Sequence, residues 1–200
     1  MSAKLISIIG PVGCGKTTLA ANLARVMDGE CIRERFASNP FLADAYRGQS
    51  AARLPAQLYF LLSRAGQLNR TGWPDEGLFV SDYGFCQDRL FARAKLSPEE
   101  LSLYEPIHER LAAHVHPPDL LVLLDAPEAE LLRRIAARGR EFEKTITREF
   151  LRDLRMAYDQ LAAEASCPVL RVENHTVDVR EPAALAALAD EVRKKLDLPH

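Results

Sequence analysis

The sequence predicts an α/β fold in which a five-stranded parallel sheet is flanked by helices. Short apolar runs alternate with longer amphipathic stretches along the 200 residues, the rhythm of parallel strands joined by helical crossovers. A glycine-rich turn falls between the first run and the first helical pattern. With 48% hydrophobic and 27% charged residues, the chain can bury one core and is too short for two comfortable ones, so a single domain over residues 1–200 is expected.

Residues 4–10 (KLISIIG) read as the first strand and 16–27 as the first helix. Further strands are expected at 30–33, 78–82, 119–125 and 168–173. Between the second and third strands, residues 39–70 carry one short and one long helical pattern. Such an insert over the sheet edge is a natural place for a substrate pocket. Residues 71–77 read as a surface turn. Ser97-Pro98-Glu99-Glu100 combines an N-cap serine, a proline at the first helical position and a glutamate able to reach back, and Pro127 marks another helix start.

Composition excludes several classes. With 26 basic and 28 acidic residues the formal charge is −2, so no nucleic-acid polymer is expected as a partner. Apolar runs such as 120–124 fall far short of the ~20 residues that span a bilayer, and Gly10 and Pro11 interrupt the N-terminal apolar stretch that a signal peptide would need. The expectation is a cytoplasmic protein with no membrane partner. Cys14, Cys31, Cys86 and Cys167 show neither C-x-x-C pairing nor finger-like spacing to histidine, which argues against structural zinc and a disulfide framework.

Gly10-Pro11-Val12-Gly13-Cys14-Gly15-Lys16-Thr17 fits G-x-x-x-x-G-K-[ST] between a strand and a helix. At this chain's residue frequencies a chance match arises roughly one time in a thousand. The glycines let backbone N–H groups turn toward phosphate oxygens, and the helix N-terminus adds partial positive charge. Lys16 suits the β- and γ-phosphates of ATP, and the Thr17 hydroxyl suits magnesium. Residues Gly10 through Thr18 form the expected phosphate-binding set. Asp82, closing the third strand at the sheet edge where such folds bind ligands, is the second expected Mg2+ residue.

A phosphate loop alone leaves kinases, GTPases and ATPases open, but no N-K-x-D guanine motif is present. Four further segments discriminate: Glu34-Arg-Phe-Ala-Ser-Asn39-Pro40-Phe41-Leu42; Gln57-Leu-Tyr-Phe-Leu-Leu-Ser-Arg64; Ser81-Asp82-Tyr-Gly-Phe-Cys-Gln-Asp88-Arg89-Leu-Phe91; and Arg134-Ile-Ala-Ala-Arg138-Gly-Arg140-Glu-Phe-Glu143. In that order and spacing the chain resembles the deoxynucleoside kinase family, especially its bacterial deoxyadenosine/deoxyguanosine kinase branch, from the phosphate loop to about Leu161.

The resemblance implies a P-loop kinase fold with a lid at about 134–143. It implies ATP-dependent phosphorylation of a deoxynucleoside 5′-hydroxyl, with a purine favoured, and a homodimer packed through helices. By the same resemblance, Glu34 takes the hydroxyl proton; Gln57, Arg64 and Asp88 read the base; Phe91 stacks on it; Tyr46 and Glu143 bind the 3′-hydroxyl; and Arg134, Arg138 and Arg140 close over the transferring phosphate. The residues alone are compatible with these roles. Glu34 ends a strand on the edge that carries the phosphate loop, and Gln57 and Arg64, seven apart, share a helix face beside Leu54, Leu58, Leu61 and Ala65. Without the resemblance, Glu34, Arg64 and Asp88 read equally well as solvated charges, Phe91 as core, and Arg134 with Arg138 as a basic helix face.

One position departs from the family pattern. Tyr83 stands directly after Asp82, where family members typically carry an arginine, so a phosphate-stabilising charge is lost or its task passes to another arginine such as Arg89. Two other readings stay open: a P-loop kinase of another small-molecule alcohol, and a non-catalytic nucleotide-binding regulatory protein.

Overall fold

A computed structural model of the protein describes residues 2–174 and 178–198. In chain order the elements are β1 (Lys4–Ile9), α1 (Lys16–Val26), β2 (Glu30–Ile32), α2 (Leu42–Tyr46), α3 (Ser50–Gln67), β3 (Leu78–Ser81), α4 (Asp88–Lys95), α5 (Pro98–Ala112), β4 (Leu120–Asp125), α6 (Glu128–Arg138), α7 (Arg148–Ala163), β5 (Val169–Glu173) and α8 (Pro182–Lys195). The five strands form one parallel sheet in the order β2-β3-β1-β4-β5. Strand ends fall within one residue of the sequence expectation, and the 39–70 segment supplies α2 and α3 as expected. At the start of α5, Ser97 and Glu100 exchange side-chain and backbone hydrogen bonds as a capping box.

The central strands are almost wholly apolar because both faces are covered. Successive residues of β1 point to opposite sides. Ile6 and Ile8 join Val80, Val122 and Leu124 under α1, α6 and α8, where Leu19, Leu23, Leu131 and Leu185 pack. On the other face, Leu5 and Phe79 meet Leu61 of α3 and Tyr104 of α5, while Ile9, Leu121 and Leu123 meet Leu154 and Tyr158 of α7. Among the described residues, no helix is long and apolar enough to cross a membrane.

The connection leaving β1 runs to β2 at one edge, while that leaving its neighbour β3 runs the other way, past β1 to β4, so the winding reverses at β1. The crevice at the C-terminal end of such a strand is where open α/β sheets place ligands, and the Gly10 turn lies there. Gly10 has φ +144, and a Cβ added to it would overlap the Leu124 carbonyl oxygen of β4. The loop is therefore pressed onto the neighbouring strand. Gly10→Ala is expected to cost about 1–3 kcal/mol through strain at this position, lowering Tm by roughly 2–10 °C in a chain of this size. Thermal unfolding followed by circular dichroism tests this, and an unchanged Tm would contradict the close approach.

Candidate active site

The site is built from the C-terminal edge of the sheet upward. Lys16 opens α1, and its Nζ donates to the Gly10 and Pro11 carbonyls at 2.8 and 2.9 Å. Among the described residues no carboxylate pairs with it. An ammonium held by neutral acceptors, two carbonyls and the Cys14 sulfur, beside a helix N-terminus makes the hollow receptive to anionic phosphate. The next residue, Thr17, donates from Oγ1 to Asp82 Oδ2 at 2.6 Å. Asp82 sits one residue beyond β3 and is buried, and its other oxygen accepts from the Glu34 backbone N–H at 2.7 Å. A hydroxyl and a carboxylate side by side are the hard oxygen donors that magnesium prefers. Among the described residues no group of three or more His, Cys, Asp or Glu could hold a metal.

A cavity of about 320 Å³ extends from this hollow across Glu34 to α3, a volume proper to a small-molecule site. Gln57, Phe60 and Arg64 project from one face of α3 into it, while Leu61 points to the core. Gln57 is buried and its side-chain amide makes no hydrogen bond to the described protein. Arg64, only 4% exposed, bonds Glu34 Oε1 through Nε at 2.8 Å and through Nη2, and Asp88 Oδ1 through Nη1. The rings of Phe60 and Tyr83 lie against its guanidinium at 5.0 and 5.5 Å. Asp88 stands behind Arg64 and does not line the cavity; its Oδ2 is buried without a partner. Arg64 and Asp88 are thus not surface charges. Phe91 is half-buried and lines the cavity.

The opposite wall comes from α2 and the turn after α6. Gly139, with φ +68, ends α6 in the left-handed conformation, so the arginines on either side of it converge on Glu143. Glu143 is buried and accepts from Arg138 Nη2 at 2.6 Å and Arg140 Nη1 at 3.3 Å. The Tyr46 ring rests on Phe142 at 5.3 Å. Burial, reinforced by Glu143 and Glu34, pushes the Tyr46 hydroxyl well above the usual phenol range, which keeps it a neutral donor.

Arg134 lies apart from the cavity. Although it shares α6 with Arg138, Glu130 one turn earlier captures its Nε at 2.6 Å, and its other nitrogens donate to the carbonyls of Cys14 at 3.3 Å and Asn174 at 2.9 Å. It braces the phosphate loop from behind. Gly10, Pro11 and Cys14 likewise form the back of the loop, whereas Val12, Gly13, Gly15, Lys16, Thr17 and Thr18 line the cavity. Arg89 is turned away to Glu105 at 2.5 Å and Glu109 at 3.7 Å on α5, so it does not supply the charge absent at Tyr83. Sequence reasoning missed Phe36, Phe60, Lys95 and Phe142, all on the cavity wall. Phe60 could have been read from its place between Gln57 and Arg64 on the same face. Lys95 gives no such signal, since it reaches the wall from the far end of α4.

A phosphate loop at the switch point of a parallel sheet, opening into a cavity lined by carboxylates and arginines, defines a P-loop kinase. The chain belongs to the deoxynucleoside kinase family, which its sequence matches over residues 6–196. It is 32% identical over 189 residues to the deoxyguanosine kinase of Bacillus subtilis (strain 168), covering 88% of this chain and 89% of that one. It is 31% identical over 174 residues to the deoxyadenosine kinase of Dictyostelium discoideum, covering 84% and 71%. The fold also matches that of a deoxyadenosine kinase from M. mycoides bound to dATP, with a TM-score of 0.80 at 19% identity over 95% of this chain and 99% of that one.

Lys95 lies under the Tyr46 and Phe150 rings at 4.3 and 5.0 Å, and burial lowers its pKa. A lowered pKa raises the fraction of neutral, nucleophilic amine at a given pH. Acylation of Lys95, followed by mass spectrometry across a pH series, is therefore expected to show a midpoint below the ordinary lysine value of about 10.4. A midpoint at or above that value would contradict this environment.

Proposed function

We propose that this chain transfers the γ-phosphoryl group of ATP to the 5′-hydroxyl of a purine deoxynucleoside. The observation that carries the reading is the place of Glu34. Its backbone is tied to Asp82 beside the phosphate loop, and its carboxylate is tied to Arg64 beside the acceptor cavity. A carboxylate at that junction can take the proton of a hydroxyl aimed at the phosphate. The purine preference draws support from the deoxyguanosine and deoxyadenosine kinases at 32% and 31% identity.

In this reading Lys16, Arg138 and Arg140 neutralise phosphate charge, and Thr17 and Asp82 hold Mg2+, which when bound spreads the charge developing on the phosphates. Glu34 receives the 5′-hydroxyl proton. ATP supplies the phosphoryl group: the 5′ oxygen forms a bond to the γ-phosphorus as the bond to the β-phosphate oxygen breaks, leaving ADP. Tyr46 and Glu143 take the 3′-hydroxyl, Phe91 stacks on the base, and Gln57, Arg64 and Asp88 read its polar edge. Gln57 and Arg64, both on the cavity wall, meet that edge directly, and Asp88 acts from behind through Arg64. Residues 134–143 serve as the lid, with Arg134 anchoring it to the phosphate loop.

We place the single-domain protein in the cytoplasm, in keeping with four free cysteines. Its partner in a homodimer is a second copy packed on the α3 and α5 helices, which touch each other and expose Leu62, Leu103 and Ile107.

Purified protein incubated with ATP, Mg2+ and each nucleoside and deoxynucleoside should form a 5′-monophosphate, most rapidly from a deoxypurine. Lys16→Ala is expected to abolish transfer without lowering Tm. Glu34→Gln should reduce kcat by roughly 100-fold or more, as loss of a general base does, with ATP affinity little changed. Wild-type turnover in Lys16→Ala would remove the phosphate-loop assignment, and wild-type turnover in Glu34→Gln would send the base role elsewhere.

A further inference from the structure

Around Glu34 the cations are unevenly engaged. Arg138 and Arg140 are held by Glu143, Arg89 by Glu105, and Lys16 by loop carbonyls. Tyr83, in the position where an arginine is usual for the family, is fully buried and donates its hydroxyl to Gln67 Oε1 at 3.2 Å; it offers its ring, not a charge. Arg64 alone among the described cations makes an ion pair with Glu34.

The form of that pair matters. Both Nε and Nη2 of Arg64 converge on Oε1 of Glu34, and among the described residues Oε2 has no partner. One carboxylate oxygen is therefore fixed while the other stays free to accept a proton. A guanidinium has five N–H donors in a rigid fork. Two are spent on Glu34 and one on Asp88, leaving two for a bound acceptor. Asp88 on one side and the Phe60 and Tyr83 rings against the guanidinium keep the fork from rotating.

We infer that Arg64 is a positioning residue for Glu34 in addition to its contact with the base, the Glu34 carboxylate having no other cation to hold it among the described residues. The inference rests on the reading of Glu34 as the proton acceptor. It separates Arg64 from its neighbours: Asp88 and Gln57 act on which base is accepted, whereas Arg64 acts on the chemical step for every acceptor.

The test measures kcat and KM for deoxyadenosine, deoxyguanosine and deoxycytidine with wild type, Arg64→Gln, Asp88→Asn, Glu34→Gln and the Arg64→Gln/Glu34→Gln double variant. Arg64→Gln is expected to lower kcat by a similar factor, roughly 100-fold, for all three acceptors, the size of effect that a misplaced reacting group produces. The Asp88→Asn loss is expected to fall on KM and to differ between bases. In the Glu34→Gln background Arg64→Gln should lower kcat no further, because a residue acting through Glu34 has nothing left to position.

An Arg64→Gln loss confined to KM for the purines, or a double variant whose kcat loss is the product of the two single losses, would overturn the inference while leaving Glu34 as base. Wild-type kcat in Glu34→Gln would instead overturn the functional reading, and this inference with it. Should Arg64→Gln fail to fold because Asp88 is left as an uncompensated buried charge, the Arg64→Gln/Asp88→Asn variant removes that charge. Its kcat, compared with that of Asp88→Asn, is expected to show the same uniform loss, and equal values would overturn the proposal.

Discussion

The carboxylate of Asp82 accepts from the Thr17 hydroxyl with one oxygen and from the Glu34 amide with the other, at 2.6 and 2.7 Å. Thr17 belongs to the first turn of α1 and Glu34 follows β2, so one side chain beyond β3 fixes the phosphate loop relative to the second strand. Parallel pairing of β2 with β3 puts Ile32 opposite Ser81. That register delivers Glu34 to the same edge as Asp82, and the Asp82 N–H to the Ile32 carbonyl at 3.1 Å closes the junction. Hydrogen bonds to an ionised acceptor contribute about 1.5–3 kcal/mol each. Two on one buried carboxylate hold the phosphate-binding and acceptor-binding halves of the cavity in a fixed relation.

Among the described residues, buried charge is concentrated around the cavity. Arg64, Asp82, Asp88 and Glu143 are all below 7% exposure and all belong to the cavity or its immediate support. Removing such groups from water costs several kcal/mol per ion unless they are well paired. The core clusters under the sheet are instead built from Leu, Ile, Val and Ala with a few aromatics and one thiol. A fold seeking only stability would have filled the α3 face with more leucine. The concentration of these charges at the cavity is the distribution that a functional site imposes on buried charge.

The strands and the phosphate loop were legible because each is carried by contiguous residues. An apolar run has its own period, and the loop motif brings its strand and helix with it. Helix spacing put Gln57 and Arg64 on one face, and a strand end put Glu34 on the edge that carries the phosphate loop. What spacing cannot give is which partner wins. Arg134 and Arg138 are one turn apart, yet Glu130 and the Cys14 carbonyl capture the first while Glu143 captures the second. Arg89 adjoins Asp88 in sequence but is drawn to α5, whereas Arg64, thirty residues from Glu34, reaches it. Such pairings depend on how α3, α4 and α5 pack around one another, and nothing local to any of them encodes the outcome.

The two ends of the cavity are held in different ways. Behind the phosphate loop, the Cys14 carbonyl accepts from both Asn174 and Arg134, the Asn174 N–H donates to the Asp125 carbonyl, and Arg155 of α7 clamps Asp125 and Glu128. These contacts tie the loop to β4, β5 and the first turn of α6. On the acceptor side, the turn carrying Phe142 and Glu143 meets α2 through the Tyr46–Phe142 ring contact and one long hydrogen bond from Thr145 Oγ1 to the Tyr46 carbonyl at 3.4 Å. An acceptor entering there meets side-chain contacts, among them Arg138 and Arg140 on Glu143, whereas movement of the phosphate loop would break backbone contacts as well. The geometry thus assigns rigidity to the end where phosphate charge must be met without reorganisation, and adjustable side-chain contact to the end that must admit and release a nucleoside.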